Sequence, residues 1–333
     1  MSEEDPISTA ADVAKLAGVS KWTVLRAFKP GARIAKDTRD KVIAIAKQID
    51  YEPNLLARSF ATNRTNQVAV LVDDFNNPYK MPTLRYLTAG LQREGILTIL
   101  INVDTEFSHG AALADARQRR VDSIVFFGTE HDPALIGEQM RRTSDQPIFV
   151  LARASMGNVF PSVYTDPAKA VDQLGQHLWD RGYRKPIFLS GPLPIATALG
   201  RRQQYKKFWG KRGLAELPEL NVGAYDYHSA CNRIRAFFST APKGLYDVLL
   251  CENDILALAA MDVLRYELGL RVPDDIAVTG FDDIDLASAR SYDLTTYRQP
   301  FDEMVRQLVE MITGRKRHRT LKLTGELQVR SST

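Results

Sequence analysis

The sequence lacks most of the features that mark secreted, disulfide-bonded and membrane-spanning proteins. Only two of its 333 residues are cysteines, too few for a disulfide framework. The segments around Cys231 and Cys251 indicate a helix and a buried strand, so we expect two reduced core thiols. No apolar run approaches the length of a membrane span, and the acidic N-terminal residues lack the apolar segment of a secretory signal. We therefore expect a cytoplasmic protein with no membrane partner.

The motifs of common nucleotide-binding and catalytic sites are also missing. No G-x-G-x-x-G follows the first predicted strand, and neither G-x-x-x-x-G-K-[ST] nor G-x-S-x-G occurs. The histidines are scattered without metal-ligand spacing; they are His109, His131, His177, His228 and His318. We expect no enzyme activity, no catalytic residues, no metal and no cofactor.

Positive charge is concentrated in one part of the chain. Residues 6–66 hold eleven Lys or Arg and five Asp or Glu, whereas residues 67–333 hold 33 basic and 32 acidic residues. The chain is 44% hydrophobic and 25% charged, which is typical of globular proteins, and its length suggests two or three domains. A small basic module favours a polyanion such as nucleic acid over a membrane. A solvated basic face without a partner is the alternative.

The basic module begins with two short predicted helices joined by a tight turn. Thr9 can cap the first helix, and Asp12 completes a capping box three residues later. Apolar residues, Leu16 among them, recur at helical spacing until Gly18, which can end the helix in a left-handed conformation. Ser20 can cap the second helix. This pattern predicts a helix–turn–helix, with an ordinary αα-hairpin as the alternative.

The second helix presents Lys21, Trp22 and Arg26 on its outer face, whereas Leu25 is expected to close the hairpin core. A helix–turn–helix places the N-terminal end of this second helix in the major groove. The outer face would then meet the base edges of double-stranded DNA.

The next forty residues contain further short motifs in a fixed order. A third amphipathic helix is predicted from Asp37 to Asp50, without a side-chain cap. The sequence reads D-V-A-x-x-A-G-V-S-x-x-T-V-x-R at 12–26, T-R-x-x-V at 38–42 and Y-x-P-N-x-x-A-R-S at 51–59. This order resembles the lactose-repressor (LacI-type) family of bacterial transcription regulators.

The resemblance implies a set of DNA contacts. Lys21, Trp22 and Arg26 occupy positions that read base edges; Arg26 can donate twice to guanine, while Trp22 can cover a thymine methyl group. Burial of Trp22 against the first helix is the alternative. The complete set of expected DNA contacts is Thr9, Ser20, Lys21, Trp22, Thr23, Arg26, Lys29, Arg39, Asn54, Leu55, Arg58 and Phe60.

Residues 53–60 resemble the family's hinge helix, which orders on operator DNA and inserts an apolar side chain into the minor groove. By position that side chain is Phe60, where the family usually has Leu. Docking of Phe60 on the following domain is the alternative. The expected domains are a headpiece at 1–50, a hinge helix and linker at 51–66, and an effector-binding and dimerisation domain at 67–333.

Strands and helices alternate from Gln67 onward, which predicts an α/β fold with parallel sheets. Sequence landmarks at 181–184, 191–192, 253–254 and 280–283 resemble the family's two-lobed effector domain, which is similar to periplasmic sugar-binding proteins. The lobes of that fold share the chain through several crossings. The resemblance therefore implies one lobe at about 67–165 and 299–319, and another at about 166–298 and 320–333.

Candidate effector contacts follow the predicted strands, where ligands of parallel sheets bind. Asp282 can accept from sugar hydroxyls, and Arg201 can clamp vicinal oxygens or a carboxylate. The complete set of expected effector contacts is Tyr79, Arg153, Thr197, Arg201, Tyr225, Asn253, Asp282 and Phe301. The alternatives are a helix cap for Asp282, a surface ion pair for Arg201 and a core position for Tyr225.

One departure from the family bears on the ligand. Ala152 stands where the family often has Asp or Asn, and Arg153 beside it keeps a cation. We expect a sugar, and two Arg with few acceptors favour a sugar acid or sugar phosphate.

The sequence thus predicts a sequence-specific DNA-binding transcription regulator, a repressor, that acts as a homodimer and responds to a small-molecule effector. It would work in the bacterial cytoplasm in association with the nucleoid. A transport-type sugar-binding protein is an alternative, but it would have no use for residues 9–60. A non-specific architectural DNA binder is another, but it would leave the α/β region unexplained.

Overall fold

The structure, a computed structural model, describes residues 8–28, 31–53, 64–104, 108–128, 146–155, 157, 159–192 and 199–333. Some predictions fall outside these residues: the hinge helix beyond residue 53 and the site residues Lys29, Asn54, Leu55, Arg58, Phe60 and Thr197. The chain divides into two units, 1–65 and 66–333. Within the described ranges, no helix is long and apolar enough to cross a membrane.

The described residues of the first unit form three helices: α1 Ala10–Ala17, α2 Lys21–Ala27 and α3 Lys36–Gln48. Their contacts enclose a small core in which Val13, Val24 and Val42 are fully buried. As predicted, α3 begins without a side-chain hydrogen bond from the preceding Ala35.

Two apolar residues of this unit lie outside the core, contrary to prediction. Leu16 is 57% exposed and Leu25 is 48% exposed. The buried stripe of α1 consists instead of Ala10, Val13, Ala14 and Ala17, small side chains that let the helices approach closely.

The second unit alternates strands with helices. Its strands are β1 Gln67–Val72, β2 Leu97–Asn102, β3 Ser123–Phe127, β4 Ile148–Leu151, β5 Ser162–Thr165, β6 Pro186–Ser190, β7 Glu219–Asn221, β8 Val248–Cys251, β9 Ala277–Thr279, β10 Thr296–Arg298, β11 Leu321–Leu323 and β12 Glu326–Gln328. Its helices are α4 Lys80–Arg93, α5 His109–Gln118, α6 Pro167–Asp180, α7 Arg201–Gly210, α8 Tyr227–Phe238, α9 Asp254–Asp262 and α10 Phe301–Ile312. A π-helical turn, Val263–Glu267, continues α9.

Two parallel sheets form the cores of two lobes. The first lobe has the strand order β11-β5-β4-β3-β1-β2 and the second lobe has β7-β6-β8-β9. Alternate residues of β1 join separate apolar clusters, so both faces of the first sheet are covered. The predicted α/β fold with parallel sheets is confirmed.

The chain crosses between the two lobes at short extended segments. β10 and β12 form a separate antiparallel pair. Leu321–Leu323 pairs with β5 of the first lobe, and Leu321 and Leu323 pack against that lobe's core. The crossing expected at residue 320 therefore comes after Leu323, which corrects the predicted boundary.

Candidate functional site

The α1–α2 hairpin is fixed by the predicted caps. The Thr9 N–H and hydroxyl donate to Asp12 Oδ2 at 2.9 and 2.6 Å, and these hydrogen bonds lower the pKa of Asp12. Gly18 has φ 66°, the left-handed conformation that ends α1. Ser20 Oγ accepts from the Thr23 N–H at 3.1 Å and caps α2. Thr9, Ser20 and Thr23 therefore shape the hairpin.

The outer face of α2 carries the three candidate base-reading residues. Trp22 is 65% exposed, so the alternative of a Trp22 buried against α1 is wrong. The Arg26 guanidinium carbon lies 4.4 Å from the centre of the Trp22 ring, and the guanidinium donates to the Arg33 carbonyl. Lys21 is exposed one residue before Trp22. The arrangement is a basic and aromatic surface along the outer face of α2.

Arg39 holds the segment between α2 and α3. Its guanidinium donates to the carbonyls of Ala27 and Ala32 at 2.9 and 2.8 Å. Arg39 is half-buried, and its two backbone partners fix the segment that joins α2 to α3.

Charged residues of the second unit, candidate effector contacts among them, lie where strands end. Asp73 follows β1, Arg153 follows β4, and Asp282 follows β9. Carboxyl ends of parallel strands meet at one edge of a sheet, which is where ligands bind in such folds.

Arg201 and Asp282 form the polar centre on the second lobe. Arg201 Nη1 donates to the Glu252 carbonyl at 2.6 Å, and Nη2 lies 3.6 Å from Asp282 Oδ1. The guanidinium carbon stacks 3.6 Å above the centre of the Phe281 ring. Because Arg201 is 6% exposed, the alternative of a surface ion pair is wrong.

Asp282 is held in an unusual conformation. Its φ is 121°, outside the regions that non-glycine residues favour, and its N–H donates to the Tyr297 carbonyl at 3.0 Å. Its carboxylate does not cap a helix; Oδ1 accepts from Gln299 Nε2 at 2.6 Å. Burial raises the pKa of Asp282 to about 7, although Arg201 opposes this rise.

Aromatic residues form the wall on the first lobe. The Tyr79 ring stacks on Phe301 with centres 5.5 Å apart and meets Phe127 edge-on at 5.8 Å. Tyr79 also packs against the apolar core of the second lobe, so it bridges the lobes. Burial raises the pKa of Tyr79 well above its usual value.

Buried charges lie behind this wall. Lys80 Nζ donates to Asp73 Oδ1 at 2.9 Å and to the Phe127 carbonyl at 3.1 Å. Arg153 is 3% exposed; burial lowers its pKa, while Asp73 and Tyr79 oppose this effect. The first lobe therefore holds two buried cations and a carboxylate beside the aromatic wall.

Asn253 and Tyr225 have structural partners. Asn253 Oδ1 accepts from the Leu256 N–H at 3.2 Å and caps α9. Tyr225 packs in the second lobe's core, and its hydroxyl donates to Glu252 Oε2 at 2.9 Å. Tyr225 thus has the core position that was the alternative to an effector contact. Its hydroxyl orients the Glu252 carboxyl.

Sequence reasoning missed four polar residues of this cleft. Asp73, Lys80, Glu252 and Gln299 are all almost fully buried among the predicted contacts. Asp73 and Glu252 each follow a predicted strand, so the rule that identified Asp282 could have found them. Lys80 gives no such signal, since it lies in the first turn of α4, and Gln299 follows β10, a strand of only three residues.

A cavity of about 330 Å³ opens beside these residues. Tyr79, Asp282, Gln299 and Phe301 line it, together with Arg298. This volume lies within the range of small-molecule sites. A second cavity, of about 390 Å³, is lined by residues of α6, of α7 and of the turn after α7, and by none of the predicted site residues.

Comparisons with known proteins agree with both units. Residues 9–54 match the model of bacterial regulatory proteins of the lacI family, and residues 176–333 match a periplasmic binding protein-like domain. The sucrose operon repressor of Escherichia coli is 30% identical over 98% of this chain and 100% of its own. The chain belongs to the lacI family.

Other members of the lacI family match along nearly the whole chain. The ribose operon repressor of Escherichia coli (strain K12) is 29% identical over 95% of each chain. The solved lac repressor dimer, bound to operator and the anti-inducer ONPF, shares the fold with a TM-score of 0.84 at 23% identity. It covers 98% of this chain and 99% of its own. Membership in the lacI family makes this chain a DNA-binding transcription regulator.

Proposed function

We propose that the protein is a repressor that binds operator DNA as a homodimer through residues 9–60 and responds to a sugar bound between the lobes of residues 66–333. The observation that carries the effector half of this proposal is the buried pair of Arg201 and Asp282 at the strand ends, facing the stacked rings of Tyr79 and Phe301. Action on chromosomal DNA would place the protein with the nucleoid.

The headpiece supports base reading by α2. Arg26 can donate twice to guanine O6 and N7, and the ring of Trp22 restricts the guanidinium plane. The exposed face of Trp22 can cover a thymine methyl group, while Lys21 can reach a phosphate or a base.

The remaining expected contacts belong to the same proposal. Lys29, Arg39 and Arg58 would meet phosphates, and the caps Thr9 and Ser20 would bring backbone amides close to the DNA backbone. Asn54 and Leu55 would order with the hinge helix, and Phe60 would enter the minor groove at the operator centre.

The cleft has the chemistry that a sugar needs. Asp282 accepts from hydroxyls, Arg201 and Arg153 donate to oxygens, and the rings of Tyr79 and Phe301 offer an apolar wall for a sugar's C–H face. Asn253 and Thr197 would complete the set of polar contacts, and Tyr225 would act through Glu252.

Coupling to DNA requires an effector that binds the two lobe arrangements with different affinities. Asp282 accepts a hydrogen bond from Gln299, which lies on a segment that connects the lobes, so a ligand on Asp282 would be one hydrogen bond away from this connection. Whether a sugar releases the operator or tightens the complex follows from which arrangement it prefers.

A selection experiment tests both halves. Duplexes that bind the full chain are enriched from a random library, and their affinity is measured for the full chain and for residues 66–333 alone, then with D-ribose or sucrose present. We expect specific, salt-sensitive binding by the full chain, none by residues 66–333, and a change in affinity with one of the sugars. Unchanged DNA binding by residues 66–333 would contradict the assignment of the headpiece.

A further inference from the structure

Glu252 is a fully buried carboxyl at the end of β8, and its two oxygens have different surroundings. Oε2 accepts from the Gly191 N–H and from the Tyr225 hydroxyl, both at 2.9 Å. Oε1 is buried without a hydrogen-bond partner among the residues that the structure describes. Because a buried acceptor is ordinarily satisfied, this atom marks a place where a donor is missing.

The carboxyl cannot turn away from this position easily. Gly191 follows β6, and a side chain there would overlap the Tyr225 ring, so glycine lets the N–H reach Glu252. The backbone of Glu252 is fixed as well: its N–H donates to the Leu189 carbonyl at 2.9 Å, and its carbonyl accepts from Arg201. The fold thus supplies two hydrogen-bond donors to Oε2 and, among the described residues, none to Oε1.

The Glu252 carboxyl lies close to the charged centre of the effector cleft, because its charge interacts with that of Arg201. Arg201 Nη1 donates to the Glu252 backbone carbonyl while Nη2 lies near Asp282. Tyr225, whose hydroxyl donates to Glu252 Oε2, is also close enough to Tyr79 of the first lobe for their charges to interact. Burial raises the pKa of Glu252, while Gly191, Arg201 and Tyr225 oppose the rise. A further donor would stabilise the carboxylate in the same way.

We propose that Glu252 is a specificity-determining residue of the effector cleft: its Oε1 accepts a hydrogen bond from a hydroxyl of a neutral sugar and excludes a phosphate or carboxylate there. This inference rests on the proposed function. It reverses the preference for an acidic or phosphorylated sugar, because that preference counted two arginines but neither Glu252 nor Asp73. An anionic group beside Oε1 would meet a second negative charge in a buried site.

The substitution Glu252→Gln tests the role of a single atom. The amide oxygen must take the Oε2 position, since Gly191 and Tyr225 both donate there. The NH₂ group then takes the Oε1 position and turns an acceptor into a donor with little change in shape. Glu267→Gln is the matched control, because Glu267 is an exposed glutamate paired with Arg235.

Binding is measured by calorimetry on the full chain with D-ribose, D-glucose and sucrose, and with ribose 5-phosphate, glucose 6-phosphate and gluconate. We expect a neutral sugar to bind the wild type and its anionic counterpart to bind at least about tenfold more weakly. Glu252→Gln should lower the affinity for that neutral sugar about tenfold or more, while Glu267→Gln should not. The thermal midpoint without ligand reports whether each variant is folded.

Monodeoxy analogues of the bound sugar give a second measurement that needs no variant. One analogue, lacking the hydroxyl that donates to Oε1, should bind the wild type about tenfold more weakly, and Glu252→Gln should remove most of this difference. Equal binding of every monodeoxy analogue, an unchanged affinity in Glu252→Gln, or tighter binding of the anionic sugars would each overturn the role of Glu252. No binding by any of the six compounds would instead overturn the proposed sugar effector, and this inference with it.

Discussion

Gln299 links Asp282 to the first chain crossing between the lobes. Its amide nitrogen donates to Asp282 Oδ1 at 2.6 Å, and its amide oxygen accepts from the Thr165 hydroxyl at 2.7 Å. Thr165 ends β5 in the first lobe, whereas Asp282 follows β9 in the second. Both ends of the amide are used, so its orientation is fixed, and a ligand on Asp282 acts on a group tied to both lobes.

Gln299→Leu should lower the free energy of unfolding of the effector unit by about 1–3 kcal/mol, because the buried Asp282 oxygen and Thr165 hydroxyl each lose a partner. Urea unfolding of residues 66–333 measures the change. Gln176→Leu is the control, since Gln176 makes the same type of bond to Asp180, at 2.6 Å, on an exposed helix face. A loss of unfolding free energy no larger than that of the control would mean that the two hydrogen bonds of Gln299 contribute no more to stability than an exposed one.

The pKa of Asp282 predicts a pH dependence of stability. A carboxyl whose pKa is raised from 3.8 to about 7 on folding stabilises the folded state fully below about pH 4, and this contribution is lost as the pH rises through 7. Burial raises the pKa of the nearby Asp254 to about 6, so the two carboxyls titrate together.

Asp282→Asn should remove the part of this pH dependence that comes from Asp282 and leave the part that comes from Asp254. Between about pH 4 and 7.5, the wild type should lose on the order of 2–4 kcal/mol of unfolding free energy relative to Asp282→Asn. Asp275→Asn is the control: its bonds to Arg271 lower the pKa of Asp275 to about 2, below this window. Parallel stability curves for the wild type and Asp282→Asn would show that Asp282 is ionised throughout.

The long, fully buried strands were predictable because burial on both faces leaves an uninterrupted apolar run. β1, β3 and β4 have this pattern. β10, β11 and β12 lack it, since each has only three residues with mixed exposure and pairs with a strand distant in the sequence. Short pairings of this kind depend on tertiary contacts.

The site was predictable where a side chain follows a strand, and less so where partners decide its role. Asp282 and Arg201 come together as expected, but the sequence could not reveal that Asn253 caps a helix or that Tyr225 serves Glu252. Residues that reach the cleft from a connection, such as Gln299, have no local pattern at all. Gln299 reaches its partners Thr165 and Asp282 only because the chain crosses between the lobes at this point.

Trp22→Ala should weaken operator binding by about 1–3 kcal/mol, because it removes the aromatic face and frees Arg26 from its stacking partner. Affinity for random duplexes, which rests on phosphate contacts, should change little. Leu16→Ala changes an exposed apolar residue of α1 and should leave both affinities as they were. Equal losses on operator and random DNA would place Trp22 outside base reading.

Arg201→Lys tests whether the fork of the guanidinium, and not its charge, organises the effector site. Arg201 reaches the Glu252 carbonyl and Asp282 with different nitrogens while stacking on Phe281, and a lysine ammonium can make only part of these contacts.

We expect the affinity for an effector sugar to fall about tenfold or more, since charge-assisted hydrogen bonds are worth roughly 1.5–3 kcal/mol each. Operator binding without sugar should persist, because Arg201 belongs to the effector unit. Arg202→Lys is the matched control on the same helix, where Arg202 pairs with Glu219 at 2.5 Å. Calorimetry with sugar and fluorescence anisotropy with operator measure the two affinities. If Arg201→Lys kept the sugar response of the wild type, a point charge would suffice at this position; if it lost operator binding, Arg201 would maintain the fold rather than the effector site.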